Sequence, residues 1–208
     1  MNLGESDIGK SSKAYWAQCS DTHVANAVYY RRVTSLLPVI CDLYLNKDAN
    51  VVDVGCGNGE LSSLIAAHCR SLRGTDISEQ LVAQANARKI ANAEFSAEAV
   101  ELLFRHGDGA YDTSFAMGLF ATLHGDVFEE TVAELARITK PGGFVVTRDS
   151  LTNGSDIVRH VVDGYHAHYR NRDRYLSSFR AHGLPLVREV FLDAFTDINN
   201  SLFVFRRE

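Results

Sequence analysis

The residues with the most chemical content stand where a run of strand formers gives way to glycine: Val51-Val52-Asp53-Val54-Gly55-Cys56-Gly57-Asn58-Gly59-Glu60. Three glycines in five residues exceed what an ordinary strand-to-helix turn requires. Such a turn lets backbone groups approach a ligand closely at the carboxyl end of a sheet. Asp53 stands just before the turn and Glu60 just after it. A dinucleotide turn of the Gly-x-Gly-x-x-Gly type wants a small residue where Glu60 stands, with a helix N-terminus open to pyrophosphate. Two carboxylates beside a diphosphate in a partly dry cleft repel it at a cost of kilocalories. The same carboxylates favour a ligand with cationic groups. S-Adenosylmethionine carries an ammonium, a sulfonium and no phosphate.

Asp76, in Gly74-Thr75-Asp76-Ile77-Ser78, is the next acid of interest. A carboxylate at the end of a second strand can accept two hydrogen bonds from a ribose diol, or it can cap the helix that Ser78 begins. Asp53 can support the loop and an ammonium, and can at the same time cap local backbone amides.

The elements that would position these groups alternate. Strands are expected at 51–54, 71–75, 93–96, 111–117 and 144–147. Helices between them carry Leu61, Leu64 and Ile65, then Leu81, Val82 and Ala85, then Phe128, Val132, Leu135 and Thr139, the last helix stopping at Lys140-Pro141-Gly142-Gly143. Strand–helix alternation of this length implies parallel pairing with right-handed crossovers. Residues 186–192 and 201–205 are separated by a short turn and imply an antiparallel hairpin at the end of the sheet. Residues 1–10 read as frayed and 12–46 as helical, with Pro38 bending or restarting the helix. An Arg- and His-rich segment, about 155–182, reads as helical. The organisation is therefore an N-terminal helical lid segment, 1–46, and a core, 47–208, within which 154–182 is a substrate-side helical insertion.

The glycine segment resembles the first motif of class I S-adenosylmethionine-dependent methyltransferases, and the likeness continues in order. Gly74-Thr75-Asp76-Ile77-Ser78 resembles the family's second-strand acidic motif. Tyr111-Asp112 through His124 resembles the stretch around its fourth strand, and Lys140-Pro141-Gly142-Gly143-Phe144 the turn before its fifth. The resemblance covers about residues 48–150 and, in outline, the final hairpin. It implies a Rossmann-like, doubly wound α/β fold: a mostly parallel seven-stranded sheet with an antiparallel last strand.

By that resemblance Gly55, Cys56 and Gly57 line the methionine half of the cofactor, Asp53 supports its ammonium, Asp76 holds the ribose and Ile77 packs on adenine. Glu98 and Ala99 stand where the family meets the adenine amino group, although a solvated helix-start acid explains Glu98 equally well. Met117 and Gly118 end the fourth strand near the transferring methyl. His124 is a candidate general base or a structural histidine capping the next helix. Tyr15 and Arg31 are candidate cofactor contacts from the lid, where amphipathic packing is the alternative for the aromatics. Tyr29, Arg148, Tyr165, His166, Tyr169 and Arg170 are candidate acceptor contacts, suited to a phosphate, carboxylate or nucleotide-linked group; a solvated helix face is the alternative for those in 154–182.

Composition narrows the partners. Of 208 residues, 46% are hydrophobic and 23% charged, so a sizeable core is possible. A net charge of -5 argues against broad electrostatic binding of nucleic acid. The stretch Met117-Gly118-Leu119-Phe120-Ala121 also lacks the Asn/Asp-Pro-Pro-aromatic motif of nucleic-acid amino methyltransferases. The four cysteines are scattered and read as free thiols in a reducing compartment, and no metal is expected. The N-terminus does not read as a signal peptide and no segment is long enough to span a bilayer, so the cytoplasm is the default. The expected activity is methyl transfer from S-adenosylmethionine, yielding S-adenosylhomocysteine, to an O or N atom of a small-molecule acceptor, by a monomer or homodimer. An NAD(P)-dependent oxidoreductase and a non-catalytic S-adenosylmethionine-binding partner are the rival readings.

Overall fold

The computed structural model describes residues 5–22 and 27–208. Helix α1 (Glu5–Ala17) and helix α2 (Ala27–Tyr44) precede the sheet. Then follow β1 (Asn50–Val54), α3 (Glu60–Ala66), β2 (Ser71–Asp76), α4 (Glu79–Ala87) and β3 (Ala93–Ala97). A 3₁₀ turn (Val100–Arg105) leads to β4 (Tyr111–Met117), a second 3₁₀ turn (Phe120–Thr122) to α5 (Asp126–Ile138), and β5 spans Thr139–Thr152. A separate pair, β6 (Ile157–Val162) and β7 (Tyr165–Tyr169), comes before α6 (Arg172–Ala181), β8 (Leu186–Phe195) and β9 (Ile198–Arg206).

The sheet has seven strands in the order β3-β2-β1-β4-β5-β9-β8. The first five pair in parallel, and β9 runs antiparallel to both β5 and β8. The order reverses between β1 and β4, which opens a crevice at their carboxyl ends where ligands bind in open α/β sheets. The sheet is packed on both faces. One face buries Val51, Leu72, Phe115 and Val146 against Val33, Leu37 and Ile40 of α2. The other buries Val52, Ala116, Val145 and Phe205 against α5 and α6 through Phe128, Leu135, Tyr175 and Phe179. This two-sided burial is why the central strands read as continuous apolar runs.

Five expectations change. Residues 5–10 are helical, not frayed, because α1 packs on β7. The helical stretch over 12–46 is two helices, with 18–22 between them non-helical and 23–26 outside the described residues. Helix α2 continues through Pro38, its two halves anchored by the fully buried Val33, Leu37 and Cys41. The Arg- and His-rich segment is helical only in α6; residues 157–169 form an antiparallel hairpin turning at Gly164. Thr139, expected in the preceding helix, pairs with Tyr111, so β5 begins ahead of the Lys140-Pro141-Gly142-Gly143 turn.

Candidate functional site

A cavity of about 750 Å³ lies at the carboxyl ends of β1, β2 and β4. The glycine turn, Asp76, Ile77 and Glu98 line one part of it; Met117, Gly118, Leu119, His124 and Arg148 line another. Helix α1 lines a further side with Ser6, Gly9, Lys10, Lys13 and Trp16. Lys13 reaches across to Glu101 at 2.5 Å.

The turn is built from backbone. The Gly55 and Cys56 amides donate to the Thr75 carbonyl at 2.8 and 2.9 Å, tying the turn to β2. Gly57 has φ 54°, and a Cβ there would stand 2.9 Å from Thr22 Cγ2. Positive φ and a strand of chain passing overhead both require glycine. That overlying strand is fixed where Ser78 Oγ donates to the Cys19 carbonyl at 2.6 Å and Gln84 to that of Ser20 at 2.8 Å.

Asp76 joins the turn to α4. Its Oδ2 accepts from the Gly57 amide and its Oδ1 from the Ser78 amide, both at 2.9 Å. Ser78 Oγ in turn caps α4 by accepting from the Leu81 amide. Each Asp76 oxygen keeps a lone pair for a hydroxyl donor from the cavity. Burial pushes the Asp76 carboxyl above its usual range, countered by the amides of Ser78, Gly57 and Ile77.

Asp53 lies behind the turn, 1% exposed, and does not line the cavity directly. Its Oδ2 accepts from Ser62 Oγ at 2.6 Å, while Oδ1 is buried without a hydrogen-bond partner. Burial raises its pKa to about 6; the Ser62 hydroxyl opposes the rise, the Asp76 carboxylate adds to it, and the Arg148 guanidinium partly offsets it. A buried, half-satisfied carboxylate beside a second one is a demand for positive charge. S-Adenosylmethionine fits this demand through its ammonium and sulfonium; a dinucleotide does not.

At the other end, Arg148 Nη2 donates to the Met117 carbonyl at 2.9 Å, and the guanidinium lies 5.3 Å from the centroid of the buried Tyr29 ring. Tyr29 therefore supports Arg148 from α2. Gly118, with φ 94°, leaves the space that Arg148 occupies. His124 is 5% exposed; its Nε2 meets the His166 carbonyl at 2.9 Å and its Nδ1 is buried. A carbonyl only accepts, so Nε2 carries the proton. The ring thus fastens the loop after β4 to the β6–β7 hairpin while lining the cavity, and it does not cap the next helix, since the N-cap of α5 is Gly125, with no side-chain cap.

The remaining sequence candidates sit elsewhere. Tyr15 stacks on Tyr165 at 5.5 Å, pinning α1 to the hairpin, while its neighbour Trp16 faces the cavity. Arg31 is exposed on α2 and Cys56 points toward Gly74. Ala99 precedes the 3₁₀ turn without lining the cavity, where Val100 does. His166 packs edge-on against His160, and Tyr169 lies under Arg159. Arg170 is 3% exposed, donates to the Phe120 and Leu123 carbonyls at 2.7 and 2.6 Å, and lies over the Phe128 ring. Burial lowers its pKa to about 10, which the Asp149 carboxylate opposes. None of Tyr165, His166, Tyr169 and Arg170 lines the cavity: Tyr165 packs on α1, the His166 and Tyr169 rings pack within the 157–169 hairpin, and Arg170 braces the loop after β4. Among the described residues no cluster of His, Cys, Asp and Glu could hold a metal, and no helix is long and apolar enough to cross a membrane.

A family model described as "Methyltransferase domain" matches residues 51–143. The ubiquinone biosynthesis O-methyltransferase of Burkholderia thailandensis is 32% identical over 98 residues, 46% of this chain and 41% of that protein. The chain thus spans about two fifths of that relative's length. The enzyme of the same name from Coxiella burnetii is 26% identical over 157 residues, covering 69% of this chain and 63% of the other. Among solved structures, 1,6-didemethyltoxoflavin-N1-methyltransferase of Burkholderia thailandensis, with bound 1,6-didemethyltoxoflavin and S-adenosylhomocysteine, superposes with TM-score 0.75 and 13% identity, over 100% of this chain and 92% of that one. N-methyltransferase NodS of Bradyrhizobium japonicum WM9, with S-adenosylhomocysteine, gives 0.71 at 16% identity over 97% and 98%. The [4+2]-cyclase SpnF gives 0.74 at 16% over 96% and 91%. At these identities the structural likeness is one of fold.

Proposed function

We propose that the protein, whose residues 51–143 match the methyltransferase-domain model on a fold shared with methyltransferases solved with S-adenosylhomocysteine, transfers a methyl group from S-adenosylmethionine to an O or N atom of a small anionic acceptor. The observation that carries this reading is the pairing of Asp53 and Asp76 around the glycine turn, with one Asp53 oxygen buried and unsatisfied. When bound, S-adenosylmethionine supplies a methyl on a sulfonium whose leaving group is already activated. Asp76 would take the ribose hydroxyls, and Gly55 and Gly57 would offer backbone to the methionine half. Asp53 would balance the ammonium through the field it projects into the turn.

Arg148 is assigned to the acceptor. Its guanidinium lines the cavity beside Met117 and Gly118, where the fourth strand ends, and suits a carboxylate or phosphate. Helix α1 and the strand of chain at 19–22 exclude water and align the acceptor, which is most of what an in-line displacement asks of a protein. His124 is assigned a positioning role, holding the loop that carries Leu119 and Thr122.

Titration calorimetry with S-adenosylmethionine and with NADH tests the cofactor. Binding of the first and a clear preference over NADH are expected; preference for NADH overturns the reading. Because a cyclase shares the fold, transfer itself needs its own measurement: radiolabelled methyl counted on carboxylate-bearing and neutral acceptors. Tight cofactor binding with no labelled product across such a panel favours the second reading, a cofactor-binding protein without methyl transfer.

A further inference from the structure

Glu98 follows β3, and its amide donates to the Asp76 carbonyl at 2.8 Å. One backbone bond thus sets this carboxylate beside the one assigned to the ribose. Its side chain lines the cavity yet is only 9% exposed. Glu98 Oε1 lies 2.7 Å from His106 Nε2, and His106 Nδ1 lies 2.7 Å from the Tyr111 hydroxyl. His106 is buried at the end of the first 3₁₀ turn and Tyr111 opens β4, so three separate elements converge on one carboxylate. Arg73 is the nearest other charge, with Nη2 3.8 Å from Oε2 and its own side chain half exposed.

The protons in this chain have one consistent arrangement. A carboxylate only accepts, so Nε2 of His106 carries the hydrogen and donates it to Glu98. Nδ1 is then the acceptor and the Tyr111 hydroxyl the donor. Oε1 is pinned from behind, and the rest of the carboxylate is held for a donor arriving from the cavity. A solvated acid at a helix start would be exposed and would need neither partner.

We propose that His106 is a positioning residue for purine selection: with Tyr111 it locks Glu98 as an acceptor that takes the exocyclic amino group of a 6-amino purine and rejects a 6-oxo purine. The proposal rests on reading the cavity as the S-adenosylmethionine site. A 6-oxo group presents an acceptor to the carboxylate, leaving two acceptors face to face in a buried place. His106 and Tyr111 do not line the cavity, so they act through Glu98.

The test uses two probes that differ only at that purine position, S-adenosylhomocysteine and S-inosylhomocysteine, by calorimetry on the intact protein. The wild type should prefer the amino compound by about tenfold or more, the worth of one charge-assisted hydrogen bond. His106→Phe should bring the ratio to within about threefold, and His106→Gln, whose amide can still donate to Glu98, should retain most of it. Tyr111→Phe, a milder change, should give an intermediate ratio and guards against misfolding of the first variant. A His106→Phe protein that loses affinity for both probes equally, keeping their ratio, would overturn the proposal, as would a wild type that binds both alike. Binding of neither probe to the wild type would overturn the cofactor reading along with it.

Discussion

Arg148 lies across Gly118: its Nη2 donates to the Met117 carbonyl at 2.9 Å, and a Cβ on Gly118 would overlap that same nitrogen. The glycine and the arginine are therefore one device, in which the missing side chain admits the cation to the cavity. Gly118→Ala should cost about 1–3 kcal/mol of stability, from the positive φ and from displaced Arg148. In an Arg148→Ala background the cost should fall by roughly 1 kcal/mol, because only the backbone part remains. Urea unfolding of the two single variants and the double variant measures this. Strict additivity would show that the two residues do not share the space.

Asp53 links stability to pH. Its folded pKa of about 6 lies above the unfolded value, so the folded state holds a proton that the unfolded state has released. Stability contributed by that proton is present below pH about 4 and is lost as pH rises to about 6. Asp53→Asn keeps an acceptor for Ser62 and removes the charge. It should raise the melting temperature at pH 8 more than at pH 4.5, by an amount equivalent to at most about 2–3 kcal/mol. The same variant should bind S-adenosylhomocysteine more weakly. A stability difference independent of pH would show that Asp53 titrates normally.

Asp76→Ala should weaken S-adenosylhomocysteine binding by about 1–3 kcal/mol, through the lost diol contact and the freed Gly57 and Ser78 amides. Calorimetry reads the change directly, and unaltered affinity would remove Asp76 from the ligand.

Arg170 divides stability from binding. Arg170→Met leaves the Phe120 and Leu123 carbonyls without their donor, which should destabilise the fold by about 2–4 kcal/mol in denaturant titration. An effect under about 0.5 kcal/mol, of the size typical of exposed positions, would mean that the guanidinium is not structural.

The core of the fold was readable because its signals are local. Val51 to Glu60 contains its own strand, turn and helix start, and Leu186 to Phe205 contains two strands and the short turn between them. Residues 157–169 were misread as helix because charged and aromatic residues at mixed spacing hide a short strand's alternation. The usable signal was Asp163-Gly164, a dipeptide that favours a hairpin turn, with Gly164 at φ 87°. That single turn decides why Tyr165, His166 and Tyr169 miss the cavity.

The site was legible where one residue faces one ligand, as with Gly55, Gly57 and Asp76. It was illegible where partners come from distant elements. Nothing near Arg170 in sequence announces that it serves the carbonyls of Phe120 and Leu123. Nothing near Glu98 announces His106 and Tyr111, and the Lys10, Lys13 and Trp16 side of the cavity appears only once α1 is docked on β7.

A crystal structure of the protein grown with S-adenosylhomocysteine tests the central claim most directly. The expected result is the ribose diol on the Asp76 carboxylate, the adenine amino group on Glu98, and the sulfur close to Met117 and Gly118 beneath Arg148. Adenosine bound elsewhere, or bound with Asp76 turned away from its ribose, would contradict it.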